Sequence, residues 1–192
     1  MIVLLNAHPY PLRSRANRTL FDQVSSLEGV NARVLYDLYP DFSIDVEAEQ
    51  AALLNAHTIV WQHPMYWYGP PALLTLWFEK VLAHGWAYGG GTALAGKRVQ
   101  WVVTTGGDDS AFQPEGMHGH TFDKFVPPME QTARFCGMSW EPPLVIHGAH
   151  KVSTRSLRES AQTYKRRIET LLAKPPELTT TASMHQLEAS NG

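Results

Sequence analysis

Five short apolar runs, most of them followed by a stretch with helical spacing, constrain this 192-residue chain more than any other feature. Ile2 to Asn6 is closed by a proline-rich turn and reads as a buried strand. Ala16 to Leu27 places Leu20, Val24 and Leu27 on one helical face. Ala32 to Leu38 reads as a second strand. Asp45 is placed to cap a helix running to Asn55, with Glu47 and Glu49 in the first turn, where the helix dipole favours acid. Thr58 to Trp61 reads as a third strand, with a helix over Ala72 to Leu82 after it. Arg98 to Thr104 is the fourth strand, and Met129 to Cys136 is a helix stopped by Gly137. Trp140 to His147 is the fifth, and Thr154 to Ala173 is a terminal amphipathic helix. This alternation predicts the α/β class, a doubly wound five-stranded parallel sheet with helices on both faces. The folded domain is read as 1–174, and residues 175–192, polar after a double proline, as a disordered tail.

In such sheets ligands bind beyond the carboxyl ends of the strands, where the strand order reverses. Three loops leave strands at that edge: Ala7 to Asn17, Gln62 to Pro71 and Thr105 to Thr121. The second holds Tyr66, Trp67 and Tyr68 between Pro64 and the pair Pro70-Pro71. Prolines fix φ and stiffen the loop, so its aromatics are placed to cover a flat, conjugated ligand. Trp67 and Tyr68 are expected to face outward. Trp77, Phe78 and Trp86 read as core or dimer contact, and Cys136 as core.

The first loop has neither the dinucleotide-binding glycine fingerprint nor the Walker glycine-lysine pattern. His8, the Ser14 hydroxyl, Arg15, the Asn17 amide and the free N–H groups at the helix start are its candidate donors to a phosphate. A helix entry capped by Ser14, with solvated arginines, fits the same residues equally well. In the third loop, Gly106 and Gly107 let backbone donors approach a planar ligand edge. Farther along, His118 and His120 lack the rest of a metal-ligand set, so no metal is expected. A histidine beside a bound cofactor or substrate is the better reading, because its charge can follow proton and hydride movement near neutral pH.

The bulk properties exclude several classes. A net charge of −2 leaves no electrostatic footprint for nucleic acid. No apolar run approaches the roughly 20 residues needed to span a bilayer. The opening Met1 to Asn6 lacks the flank of a signal peptide. The single Cys136 rules out an internal disulfide, and the chain is read as cytosolic.

At the level of motifs, His63-Pro64-Met65-Tyr66-Trp67-Tyr68-Gly69-Pro70-Pro71-Ala72-Leu73-Leu74, followed by Trp77-Phe78-Glu79-Lys80-Val81, resembles the flavodoxin-like NAD(P)H:quinone oxidoreductases. Thr104 to Gly107, Gly116 to Gly119 and Phe135-Cys136-Gly137 follow that family in order and spacing. The resemblance covers Met1 to about Ala173. Ala7-His8-Pro9, Leu38 to Phe42 and Ile44-Asp45 are most similar to one branch, the ancillary proteins of glutathione-regulated potassium-efflux systems, of the KefF and KefG type. The resemblance implies a flavodoxin-like fold and a bound flavin, FMN or FAD, with FMN favoured because the chain lacks the extra length of the larger relatives. By matched position, FMN would contact His8, Ser14, Arg15, Ala16, Asn17, Met65, Tyr66, Trp67, Tyr68, Thr105, Gly106, Gly107 and Asp108. It implies NAD(P)H as donor, a quinone or electrophile as acceptor, and a homodimer. It also implies docking on the cytosolic domain of a potassium–proton antiporter at the inner membrane. The larger relatives use a tyrosine and a histidine in the third loop to balance charge during hydride transfer. The histidine matches His118, the catalytic candidate, but Phe112 stands where the tyrosine would be. Two rival readings follow: a regulatory module whose flavin is structural or sensory, and a one-electron carrier, which the near-neutral charge disfavours.

Overall fold

In β1 (Ile2–Asn6), Ile2 and Leu4 face one side of the sheet while Val3 and Leu5 face the other, and the whole strand is buried. A strand covered on both faces needs no polar side, and a continuous apolar run of this kind belongs to a parallel sheet. The computed structural model describes residues 1–175. Its strands are β1, β2 (Val30–Val34), β3 (Thr58–Pro64), β4 (Arg98–Thr104) and β5 (Ser139–Ile146), in the order β2-β1-β3-β4-β5 and all parallel. Helices α1 (Ala16–Val24) and α6 (Thr154–Ala173) cover one face through Leu20, Val24, Ala161, Tyr164 and Ile168. Helices α3 (Val46–Leu54), α4 (Ala72–Val81) and α5 (Pro127–Phe135) lie on the other, where Leu53, Leu73, Trp77 and Met129 join Trp61 and Trp101 in one core. The expected doubly wound, flavodoxin-like sheet is the architecture observed.

Two boundaries depart from the sequence reading. The second strand runs Val30–Val34, and Leu35–Leu38 turns into the short helix α2. β2 pairs only with β1, whose last residue Asn6 faces Val34, so the chain has no ladder partner beyond that point. The third strand does not stop at Trp61. It pairs with β4 as far as Pro64 opposite Thr104, and Gln62 and His63 are fully buried rather than in the loop.

Glu49 also differs from its expected place as a dipole partner in the first turn of α3. Asp45 does cap that helix, accepting from the Ala48 N–H at 3.0 Å. Glu49, however, is wholly buried and is the acceptor for three neighbours. Arg33 donates Nε and Nη2 to its Oε1 at 2.8 and 2.5 Å, and Tyr39 donates its hydroxyl at 2.5 Å. Trp77 Nε1 donates to Oε2 at 3.0 Å. Burial, reinforced by the bond to Glu49, pushes the Tyr39 hydroxyl up to about 12, so it stays a donor.

Residues 176–192 lie outside the described residues, and the expected disordered tail falls there. Among the described residues, no helix is long and apolar enough to cross a membrane.

Candidate functional site

The strand order reverses between β1 and β3, and the loops that follow β1, β3, β4 and β5 meet at that edge. The first loop is held from behind. Gln62 Nε2 donates to both the carbonyl and Oδ1 of Asn17, at 2.8 and 2.9 Å, and Tyr164 donates its hydroxyl to Gln62 Oε1 at 3.2 Å. Asn6 Nδ2 reaches the same Asn17 oxygen at 3.3 Å. Asn17 is thus turned inward, 1 % exposed, and its Nδ2 finds no acceptor among the described residues. Ser14 Oγ accepts from the Asn17 N–H at 3.2 Å. The N–H groups of Arg15 and Ala16 stand at the open start of α1, where a helix has donors without partners. Arg15 itself donates to the Val152 carbonyl. Tyr10 N–H donates to His8 Nδ1 at 3.0 Å, which leaves Nε2 of His8 as the donor atom, and burial lowers its pKa.

The second loop is tighter than its sequence implied. Tyr66 and Gly69 exchange backbone hydrogen bonds at 3.0 Å, closing a two-residue turn over Trp67 and Tyr68. Both residues have positive φ, 49° and 65°. This left-handed geometry suits a hairpin turn, but it normally takes glycine or asparagine. Two aromatic residues there hold strain of the order of 1 kcal/mol or more each. The result is an indole 95 % exposed and a phenol 51 % exposed, facing outward as expected.

The wall opposite is Thr105-Gly106-Gly107. Thr105 donates its hydroxyl to the Gly107 carbonyl at 2.7 Å and accepts from His147 Nδ1 at 3.0 Å. The two glycines differ in purpose. A Cβ on Gly107 would come within 2.9 Å of His118 Nε2 and 3.1 Å of Ala111, so this glycine lets the third loop close. A Cβ on Gly106 would meet nothing within 4 Å, and Gly106 has no left-handed φ. Its missing side chain serves the space in front of it.

That space is two adjoining cavities. One of about 380 Å³ runs past His8, Tyr10, Ser14 to Ala16 and Tyr66. The other, of about 240 Å³, lies between Trp67, Tyr68, Phe112 and His118. They share Met65, Thr105 and Gly106, and each is of the order of an ordinary small-molecule site or one lobe of it. All but two of the expected cofactor contacts therefore line one continuous wall. Asn17 stands behind it, and the Asp108 carboxylate is spent on its own turn, accepting from Ser110 Oγ at 2.7 Å. The fourth loop was missed. Ala149 and His150 also line the larger cavity, and the signal was available, because β5 ends at the same sheet edge.

His118 lies at the cavity mouth, its ring 4.4 Å from that of Phe112. From another loop, the Tyr68 hydroxyl is 3.5 Å from His118 Nδ1, with the rings edge to face at 5.6 Å. Among the described residues, no three His, Cys, Asp or Glu side chains gather as a metal-ion set.

His63 anchors the floor. Trp101 Nε1 donates to its Nε2 at 2.7 Å, so Nδ1 carries the proton and donates to the Pro64 carbonyl at 2.9 Å. Complete burial lowers its pKa to about 4. The unfolded chain takes up this proton near pH 6.5, and the native state only near 4. Stability should therefore be full above about pH 6.5 and fall by about 3 kcal/mol as the pH drops to 4. Urea titrations of the parent and of His63→Gln across that range check this: the variant curve should be flatter, and parallel curves would refute it.

Comparison with known proteins bears on the family and the fold. A family model described as flavodoxin-like fold matches residues 1–169. The chain is 50 % identical over 169 residues to the glutathione-regulated potassium-efflux system ancillary protein KefF of Citrobacter koseri, covering 88 % of this chain and 95 % of that protein. The general stress protein 14 of Treponema denticola, solved in complex with FMN, superposes with a TM-score of 0.83 at 31 % identity, over 88 % of this chain and 98 % of that one. An NADPH-quinone reductase from P. pentosaceus superposes with a TM-score of 0.79 at 28 % identity, over 87 % of this chain and 96 % of that one.

Proposed function

This chain belongs to the flavodoxin-like fold family, and from that premise we propose that it is an FMN-dependent NAD(P)H oxidoreductase acting on quinones or other electrophiles. The observation that carries the reading is the clearance in front of Gly106, bounded by the strained Trp67-Tyr68 turn, which suits a flat ring. The fused ring would lie against Met65, Tyr66 and Gly106, with its phosphate at the open start of α1, near Ser14, Arg15 and Ala16. Asn17 and the Asp108 loop support those segments from behind. When bound, FMN accepts a hydride from NAD(P)H and passes two electrons to an acceptor. The protein binds, orients and shields. Trp67 and Tyr68 restrict the mouth to planar molecules. His118, backed by Tyr68 in place of the third-loop tyrosine of the larger relatives, holds the proton that the acceptor needs.

Purified protein that is colourless and takes up neither FMN nor FAD would refute this reading. A steady-state assay with NADH, NADPH and a quinone would set the donor preference and separate an oxidoreductase from a one-electron carrier. His118→Gln should lower kcat about 100-fold with flavin content unchanged, the usual contribution of a positioned proton donor. Tyr68→Phe should retain flavin and lose several-fold, with a displaced pH–rate profile. Unaltered rates in both variants would take the pair out of the chemistry.

The likeness to an efflux-system ancillary protein supports a second role for the same chain. In it, a homodimer docks on the cytosolic domain of a potassium–proton antiporter, peripheral to the inner membrane, and raises its activity. His118→Gln separates the roles: if potassium efflux stays stimulated while turnover collapses, regulation does not need catalysis.

A further inference from the structure

At the opposite end of the sheet, where β4 and β5 begin against α6, lies a groove of about 480 Å³. Among the described residues, Arg98, Arg166, Arg167 and Lys174 line it, against the single carboxylate of Glu141. Among the described residues none of these four cations forms an ion pair, whereas other exposed cations on the molecule do, such as Arg155 with Glu159 on α6.

The groove is built rather than merely charged. Gln100, 1 % exposed, donates Nε2 to the carbonyls of Trp101 and Pro142 at 2.9 and 3.1 Å, which fixes its Oε1 as an acceptor. Arg167 Nη1 donates to that oxygen at 3.3 Å and to the Pro142 carbonyl at 2.7 Å. One nitrogen of the guanidinium is thereby tethered and the remaining donors are left over. Arg166 is steadied by Thr163 Oγ at 3.0 Å, and Arg98 by the Lys174 carbonyl. Arg98 Nε is enclosed without an acceptor among the described residues. Arginines already held in place lose little freedom on capturing an anion, and their forked donors match the oxygens of a phosphoryl group.

We propose that this groove binds a phosphoryl group, carried by a soluble phosphorylated compound or by a lipid headgroup. Four cations less one carboxylate leave three positive charges, an excess that suits a dianion better than a lone carboxylate. The seven residues of β4 put the groove roughly 20 Å from the loops at the other sheet edge, so it does not depend on the flavin reading.

The test uses the whole purified chain. Inorganic phosphate and pyrophosphate are titrated calorimetrically, and phosphatidylcholine vesicles with and without phosphatidic acid, whose headgroup is a phosphomonoester, are sedimented with the protein. Saturable binding should weaken at least ten-fold in the Arg166→Gln/Lys174→Gln double variant and strengthen several-fold in Glu141→Gln. Arg155→Gln, which removes an equivalent charge elsewhere on α6, should leave it unaltered. Binding of the soluble anions alone supports a metabolite, binding of the anionic vesicles alone supports a headgroup, and binding of both supports the shared chemistry. No saturable binding of any probe, indifference to the groove variants, or an equal loss in Arg155→Gln would overturn the proposal. FMN uptake measured on the same samples keeps this outcome separate from that of the flavin site.

Discussion

Gly106→Leu is expected to yield a folded protein that purifies without colour. A Cβ at this position meets no atom within 4 Å and φ is not left-handed, so the backbone accepts a side chain that extends into the cavity, and the native fold should tolerate it within about 0.5 kcal/mol. The same side chain would occupy the space shared by the two site cavities, where the flat ring is proposed to lie. FMN affinity should fall at least 100-fold, and NAD(P)H oxidation should vanish with it. The paired measurement decides the matter. Unchanged melting temperature with lost flavin absorbance supports the assignment, whereas normal flavin binding would remove Gly106 from the site. Gly107→Ala is the contrasting case, because its Cβ would press on His118 and Ala111 and disturb the loop itself.

The second large effect is on stability. Glu49→Ala should destabilise the protein by about 3–5 kcal/mol, because Arg33, the Tyr39 hydroxyl and Trp77 Nε1 would all lose their buried acceptor. In a domain of this size such a loss lowers the melting temperature by roughly 10 °C. Glu49→Gln keeps the shape and part of the bonding, so it should fall between. Tyr39→Phe removes one donor and should cost about 1 kcal/mol. Urea unfolding of the three variants gives the ranking, and a loss below about 1 kcal/mol for Glu49→Ala would show that the network is dispensable. The network ties α3 and α4 to β2, on the far side of the site, so flavin affinity should move much less than stability.

How far the fold was legible depended on the kind of residue. β1, β4 and α6 have the bounds that their apolar spacing indicates, because hydrophobic period is a property of the local chain. Gln62 and His63 concealed the end of β3. Polar residues look like loop until their partners, Tyr164 and Trp101, are known, and those lie far away in sequence. Glu49 is a similar case. Its position in a first turn suggested an exposed dipole partner, and only the fold brings Arg33, Tyr39 and Trp77 around it. For the site, the three loops were identifiable because strand ends in a parallel sheet share one edge. The contribution of Ala149 and His150, and the approach of Tyr68 to His118, needed the third dimension.

The strained turn over Trp67 has one further consequence. Trp61, Trp77 and Trp101 are buried and Trp86 and Trp140 partly covered, which leaves Trp67 as the exposed indole. It stands on the wall of the smaller cavity, on a backbone that fixes its direction. The protein therefore carries its own optical reporter: red-edge emission and iodide quenching single out this one residue. Any molecule that covers the mouth, whether a planar ligand or another protein surface, signals its arrival without a label.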